Sequence, residues 1–394
     1  MTGPRQSTRR LHIGVAAPVS LQMIAPLLAG PKPTTNGLQS ALIADFCIDL
    51  HRRGHDLEIF TLSLDELDVG DFSGDRISLH VRKYRQRLRW IDAFRIERRA
   101  LRLAMAASQC EIIHAHWGYE FGLAAQRSGK PVLITLHDWA PEIFRLNRDR
   151  YRLARLAMQQ LVVQRAKFVT ANSPYIASLA KRSGLVDIPV IPNGIKLPHS
   201  PASPLTNTSP VIGALNNGFG ARKNVVRLIE SFALVRETFP KAKMRLAGHE
   251  YGPSEAAERW AVDHELHRGI EFVGPIPSAD VRGFMQSLNL FVHPSLEESF
   301  GMVLIEALAA GTPVVAGTKS GAVPWVLGDG VAGTLVDVAS AQTLSEAIGR
   351  LLTDSDALRA SAAAGFGHVQ NNFSLEHVVD LYEAQYEAIV ESNC

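Results

Sequence analysis

A chain of 394 residues that is 46% hydrophobic and 20% charged has an ordinary globular composition but exceeds one ordinary domain, so two domains are expected. Its net charge of +2 hides a polarity: residues 1–200 carry 28 Lys+Arg against 17 Asp+Glu, and residues 201–394 carry 13 against 22, so the first half is suited to face something anionic. Cys47, Cys110 and Cys394 have neither the spacing of a disulfide framework nor that of a zinc site, which fits a reducing compartment, and no run of about 18 unbroken apolar residues offers a membrane span.

Arg9-Arg10 and the apolar residues after them superficially resemble a signal peptide, but His12, Pro18, Gln22 and Pro26 interrupt the run. Residues 11–17 read instead as a first buried strand. Further strands are predicted at 57–62, 112–116, 132–137, 168–170 and 190–191, with helices between them such as 38–53 and 155–165. Short apolar strands alternating with amphipathic helices predict a parallel sheet covered on both faces. Residues 198–210, PHSPASPLTNTSP, read as a linker. The alternation restarts with strands at 211–215, 244–247, 270–273, 290–293 and 314–316. The chain then becomes helical at 343–352, 358–371 and 375–390. Two doubly wound domains place a ligand at the carboxyl ends of their strands.

Several residues stand at such ends. Asn36-Gly37 precedes a helix, and glycine lets backbone approach a ligand closely. His114 and His116 lie two apart and share one face of a strand; a metal pair, a structural pair and a catalytic histidine are the three readings. His137 ends the next strand. Arg222-Lys223 precedes the helix that begins at Val225, where a cation reinforces phosphate binding; an exposed basic turn is the plain alternative. Residues 82–102 hold nine Lys+Arg against Asp92 and Glu97, punctuated by Trp90, Ile91, Phe94, Leu101 and Leu103. That segment reads as a solvated basic helix or as a surface for anionic lipid headgroups. No nucleic-acid recognition motif accompanies it.

The densest signal is HPSLEESFGMVLIEALAAGTPVV, residues 293–315, in which seven residues separate Glu298 from Glu306. A strand ends at His293, Pro294-Ser295 breaks it, and apolar positions from Met302 recur at helical spacing. The first N–H groups of that helix favour an anion. The two glutamates, one before the helix and one a turn inside it, can reach different hydroxyl-bearing parts of one ligand. The plain alternative is a strand, a turn and a buried helix with acidic residues in its first turn.

This segment resembles the E-x7-E signature of retaining glycosyltransferases of family 4, with Glu298 and Glu306 on its glutamates and Phe300-Gly301 between them. The resemblance runs in order from the Gly37 loop through Pro192-Asn193-Gly194 to the signature. It implies the GT-B fold, an α/β architecture of two doubly wound Rossmann-like domains with the active site in the interdomain cleft. The expected divisions are an acceptor-side domain at 1–195, a linker at 196–210, a nucleotide-sugar domain at 211–372 and a final helix at 373–394 crossing back.

The implied function is transfer of a sugar from a nucleotide-diphosphate donor to a hydroxyl of a glycan or lipid-linked acceptor, with anomeric configuration retained. Neither metal nor cofactor is implied; the nucleotide sugar is a co-substrate. The implied donor contacts are Gly37, Arg222, Lys223, the main chain of Val273, Glu298, Ser299, Phe300, Gly301, Met302 and Glu306. The implied catalytic set is Glu298 beside the sugar, Lys223 on the diphosphate and His116 orienting sugar or acceptor; His137 joins His116 on the acceptor side. Departures from the family's pattern are Asn36 for the first glycine of its loop, Ala214 for an arginine, and Ala322 and Trp325 in a later loop. A nucleotide-sugar epimerase and a non-catalytic binding protein of the same fold are the alternatives. The expected place is the cytoplasm, at the inner face of the cell membrane through the basic first half, in cell-surface polysaccharide or glycolipid synthesis.

Overall fold

The structure, a computed structural model, describes residues 9–201, 205 and 209–393. The chain divides into two compact units, one ending at Lys196 and resuming at Leu375, the other running from Leu197 to Ser374. The segment expected to link two domains lies partly outside the described residues, at 202–204 and 206–208.

The first unit holds seven strands: β1 (His12–Ala16), β2 (Asp56–Ser63), β3 (Gly70–Gly74), β4 (Ile77–Lys83), β5 (Ile112–His116), β6 (Val132–Leu136) and β7 (Phe168–Ala171). Their order across the sheet is β3-β4-β2-β1-β5-β6-β7, and only β3 runs antiparallel to its neighbour. The strands at the centre are buried throughout, with Ile13, Val15, Ile59 and Ile113 fully covered, because helices close both faces of a parallel sheet. Residues 190–191, expected as a strand, form only a single bridge from Val190 to Ala171. Two residues between prolines cannot extend a ladder.

The last helix, Leu375–Glu391, belongs to this unit. It buries Val378, Val379, Tyr382, Tyr386 and Ile389 in the same core as β1, β2 and the helix Ala41–Arg52. Polar ties fix its register. Arg53 donates to Glu383 at 2.8 Å and also pairs with Asp49 and Asp380. The Leu11 N–H donates to His55 Nδ1 at 3.2 Å, which leaves Nε2 carrying the proton that it donates to Glu383 at 2.8 Å.

The second unit holds β8 (Val211–Leu215), β9 (Lys243–Ala247), β10 (Ile270–Gly274), β11 (Leu290–His293), β12 (Val314–Gly317) and β13 (Thr334–Val336), all parallel, in the order β10-β9-β8-β11-β12-β13. Among their parallel strands both sheets reverse order once, between β1 and β5 and between β8 and β11. At such a switch point the two following loops diverge and open a crevice beyond the strand ends.

Candidate active site

In the second unit the switch point is built from residues 216–224, after β8, and 294–301, after β11. Hydrogen bonds to its main chain hold the second loop. The Leu296 N–H donates to the Arg222 carbonyl at 2.9 Å, and the Ala322 N–H to the Glu298 carbonyl at 2.9 Å. The Asn224 amide donates to the Pro294 carbonyl at 3.1 Å, and the Ser320 hydroxyl to the Ser295 carbonyl at 2.6 Å. Asn224 itself sits at φ +54, a left-handed conformation that asparagine accepts more readily than most residues.

This scaffold sets the Glu298 carboxylate 2.5 Å from Lys223 Nζ and 3.4 Å from His293 Nε2. Burial pushes its pKa up, but the adjacent His293 ring and the charge and hydrogen bond of Lys223 outweigh it and hold the carboxyl well below the usual range. Glu298 is therefore a fixed anion. Arg222 lies along the same loop, donating to the Glu297 carbonyl at 3.1 Å and reaching the carboxylates of Glu297 at 3.4 Å and Glu298 at 4.0 Å. Lys223, 15% exposed, is the cation set against Glu298, while Arg222 clamps the loop. Ala214, in place of the family's arginine, is 2% exposed inside β8.

Gly301 caps the helix Met302–Ala310 at φ +91, where an added Cβ would come within 2.9 Å of Leu304; glycine is the residue that occupies this conformation without strain. Ser299 and Met302 flank the turn half-buried, and Phe300 is buried. Trp325, in place of the family's glutamate, packs edge-on against Phe300 and Phe373, with centroids 6.2 and 5.5 Å away. It braces the turn from behind with apolar contact. Glu306 has no hydrogen-bond partner among the described residues, and burial lifts its pKa to about 7. Val273 falls between the paired residues Phe272 and Gly274, where the β9–β10 register shifts.

In the first unit the switch point joins the loop after β1 to the end of β5. Gly37 adopts φ +57, and an added Cβ would meet Leu21 at 2.8 Å. The loop before it is pinned by Asp68, fully buried, which accepts from the N–H groups of Thr34 and Thr35 at 2.7 and 3.1 Å and from both hydroxyls. Burial opposes the Asp68 charge, yet these donors hold its pKa below the ordinary value.

Three histidines meet at the ends of β5 and β6. His114 hydrogen-bonds the Tyr386 hydroxyl at 2.6 Å and the Thr135 hydroxyl at 2.7 Å, so both its nitrogens are spent on the fold. His116 Nδ1 and His137 Nε2 share one hydrogen bond of 2.8 Å. His116 Nε2 is buried with no partner and borders a small cavity with Phe46, His137, Asn193 and Tyr382. Burial drives His114 and His116 well below their ordinary pKa and brings His137 to about 3, an effect that nearby Asn193 only partly opposes. These rings are neutral at physiological pH. Trp117, forced to φ +67, lays its indole 4.4 Å from the His137 ring.

Sequence reasoning named Glu298, Lys223, His116, His137 and Gly37, and the fold sets each at a switch point of its own unit. It missed Asp68, Asn224 and Trp117, and it gave His293 no part beside Glu298. The signal for His293 was present, as a polar residue closing an apolar strand. Metal-ligand chemistry gathers at one group among the described residues, His12, Glu58 and Cys110, with ligand atoms within 4.8 Å of one another. It lies at the amino ends of β1 and β2, away from the switch point. The Glu58 oxygens already engage His12 at 3.0 Å, His80 at 3.1 Å and the Gln109 N–H at 3.0 Å.

Comparison with known proteins gives the two units a common reading. Residues 39–198 match the family described as Glycosyltransferase Family 4, and residues 200–365 match Glycosyl transferases group 1. The D-inositol 3-phosphate glycosyltransferase of Corynebacterium urealyticum is 30% identical over 167 residues, 40% of this chain and 39% of that protein. The phosphatidyl-myo-inositol mannosyltransferase of Mycobacterium leprae is 30% identical over 207 residues, 51% of this chain and 54% of that protein. Both alignments thus span less than two thirds of the relative's length. Sucrose-phosphate synthase from Thermosynechococcus elongatus shares the fold with a TM-score of 0.76 at 22% identity, over 97% of this chain and 100% of its own. Adjacent family matches that fall on the two switch-point units, together with a full-length match of the fold, place this chain among the family 4 glycosyltransferases of GT-B fold.

Proposed function

We propose that this protein transfers a sugar from a nucleotide-diphosphate donor to a hydroxyl of a glycan or lipid-linked acceptor, with retention at the anomeric carbon and without a metal. The observation that carries the reading is the Lys223–Glu298–His293 constellation at the switch point of the second unit. Lys223 would exchange its contact with Glu298 for the donor diphosphate as the glycosidic bond breaks, with the N–H groups beyond Gly301 helping. A cation and helix amides fixed where negative charge develops stabilise the transition state most. Glu298, held ionised, would face the sugar and balance its developing positive charge. Glu306 would accept from the ribose hydroxyls, and the Val273 main chain would meet the base. His116, neutral with one free nitrogen, would hydrogen-bond the sugar or the acceptor.

The name of one relative, a phosphatidyl-myo-inositol mannosyltransferase, supports glycolipid synthesis beside a membrane as the setting of this reaction. No helix among the described residues is long and apolar enough to cross a membrane. The test is incubation of the purified protein with a panel of nucleotide sugars and candidate acceptors, in the presence and absence of EDTA, with proton NMR of the product. A product with the donor's anomeric configuration at an undiminished rate in EDTA is expected. An inverted product removes the retaining assignment, and loss of rate in EDTA with recovery on adding a divalent ion removes the metal-free one.

A further inference from the structure

Eight of the nine basic residues of 82–102, all but Arg87, separate into two groups once their contacts are known. Arg82 pairs with Asp71, Lys83 with Glu66, and Arg85 with Asp92 and Glu97. Arg89 donates to the carbonyls of Arg85 and Gln86 and lies 4.4 Å over the Tyr84 ring. These side chains serve the fold. Arg95, Arg98, Arg99 and Arg102 do not: they form one stripe of the helix Arg95–Ala107 and line a cavity with Leu123, Ala124 and Arg127.

Among the described residues none of these five guanidinium groups is ion-paired, and Arg98 Nε is buried without a hydrogen-bond partner. Burial and the charge of Arg127 both work against the Arg98 cation; Asp92 and Glu120 favour it without outweighing them, and Asp92 is already held by Arg85. Five unneutralised guanidinium groups around one cavity repel one another, and Arg98 among them also loses hydration, a cost that a polydentate anion relieves.

We propose that Arg95, Arg98, Arg99, Arg102 and Arg127 form a phosphate-binding pocket that seats the headgroup of an anionic lipid. The choice of a lipid rests on what lies beside the pocket. Ile96 and Leu103, 58% and 51% exposed, form a second stripe of the same helix, and Ile91 just before it is 63% exposed. At about 100° per residue this stripe stands roughly a quarter-turn from the arginines, so one side of the helix meets phosphate while the adjacent side meets acyl chains. Free phosphate or RNA would leave those apolar side chains in water. The inference deepens the membrane-facing part of the reading above and names the residues that would carry it.

The experiment is sedimentation of the full-length protein with phosphatidylcholine vesicles containing or lacking phosphatidylglycerol. Arg98→Gln/Arg102→Gln/Arg127→Gln is compared with a variant that loses the same charge elsewhere on the unit, Arg148→Gln/Arg150→Gln/Lys181→Gln. Wild type is expected to pellet only with phosphatidylglycerol. The pocket variant should lose about a hundred-fold in partition, and the control variant far less. Equal losses, or no dependence on phosphatidylglycerol, overturn the pocket. Stabilisation of wild type by inorganic phosphate with no vesicle binding, or capture of RNA in place of vesicles, overturns the lipid assignment. Should the glutamine variant fail to fold, Arg98→Lys/Arg102→Lys/Arg127→Lys keeps charge and stem but loses the planar fork. A loss of about ten-fold is then expected, and unchanged binding is fatal to the pocket. These arms read binding and never sugar transfer, so the fate of the transferase reading is judged separately.

Discussion

The two switch points are built alike in backbone and oppositely in charge. Beyond β11, Glu298 is an ion locked between Lys223 and His293. Beyond β5, burial keeps His116 and His137 uncharged, joined by one hydrogen bond. The same topology thus yields one crevice suited to an anion and its counter-charges and another suited to neutral hydroxyls. A strand order fixes where a ligand can sit; the side chains at two strand ends decide its chemistry.

That contrast can be broken by substitution, beginning on the charged side. Lys223→Ala should lower kcat about a hundred- to a thousand-fold, the usual scale for losing one preorganised electrostatic contact in a transition state. A loss below ten-fold would remove the lysine from the diphosphate. On the neutral side, His116→Ala should cost about a hundred-fold in kcat/KM for the acceptor with the donor Kd nearly unchanged, and the reverse pattern would move His116 to the donor.

Glu306 sharpens the comparison through pH. With its carboxyl lifted to about 7, the donor KM should fall as pH rises through 7 and the ionised form becomes available to accept hydroxyls. Glu306→Gln should raise the donor KM about ten-fold and flatten that profile. The same residue links to stability. Its folded pKa is raised above the unfolded value, so its favourable contribution is complete below about pH 4, declines between the two values, and is gone as pH passes through 7. Glu306→Gln should therefore gain about 2–3 kcal/mol over wild type between pH 4 and pH 8 in denaturant unfolding; parallel curves would contradict the raised pKa. Asp68→Asn should cost about 1–3 kcal/mol of stability and leave the chemistry of both crevices in place. Proteolysis near Thr34–Thr35 should become faster, and an unchanged cleavage rate would show that the loop holds without the carboxylate.

Much of this was readable in the residues because it is local. Apolar runs marked β1, β2, β5 and β6, and the glutamate spacing marked the turn before Met302. Gly37 announced a left-handed turn beside a helix. What escaped depends on partners far along the chain. Asp68 reads as one acid among Asp65, Glu66 and Asp68 until the loop at Thr34 folds onto it. The hairpin of β3 and β4 was missed although Ile77, Leu79 and Val81 alternate inward, because polar and basic residues occupy the other face. Arg85 and Arg89 look like surface charge in sequence and are ties in the fold. Trp325 looks like the loss of a polar contact; packed against Phe300 and Phe373, it is a brace.

The return of Leu375–Glu391 to the first unit also sets an order of birth. The second unit is continuous in sequence and can complete its core as it leaves the ribosome. The first has its sheet made early but waits for Tyr382, Tyr386 and Glu383, which meet Thr135, His114 and Arg53 across 247, 272 and 330 residues. Until Leu375–Glu391 emerges, His114 lacks its phenol, Arg53 lacks its carboxylate and the apolar groove over β1 is open to the solvent. The half of the protein made first is finished last, and a nonsense codon within 375–391 would strike a unit whose sheet was made more than 200 residues earlier.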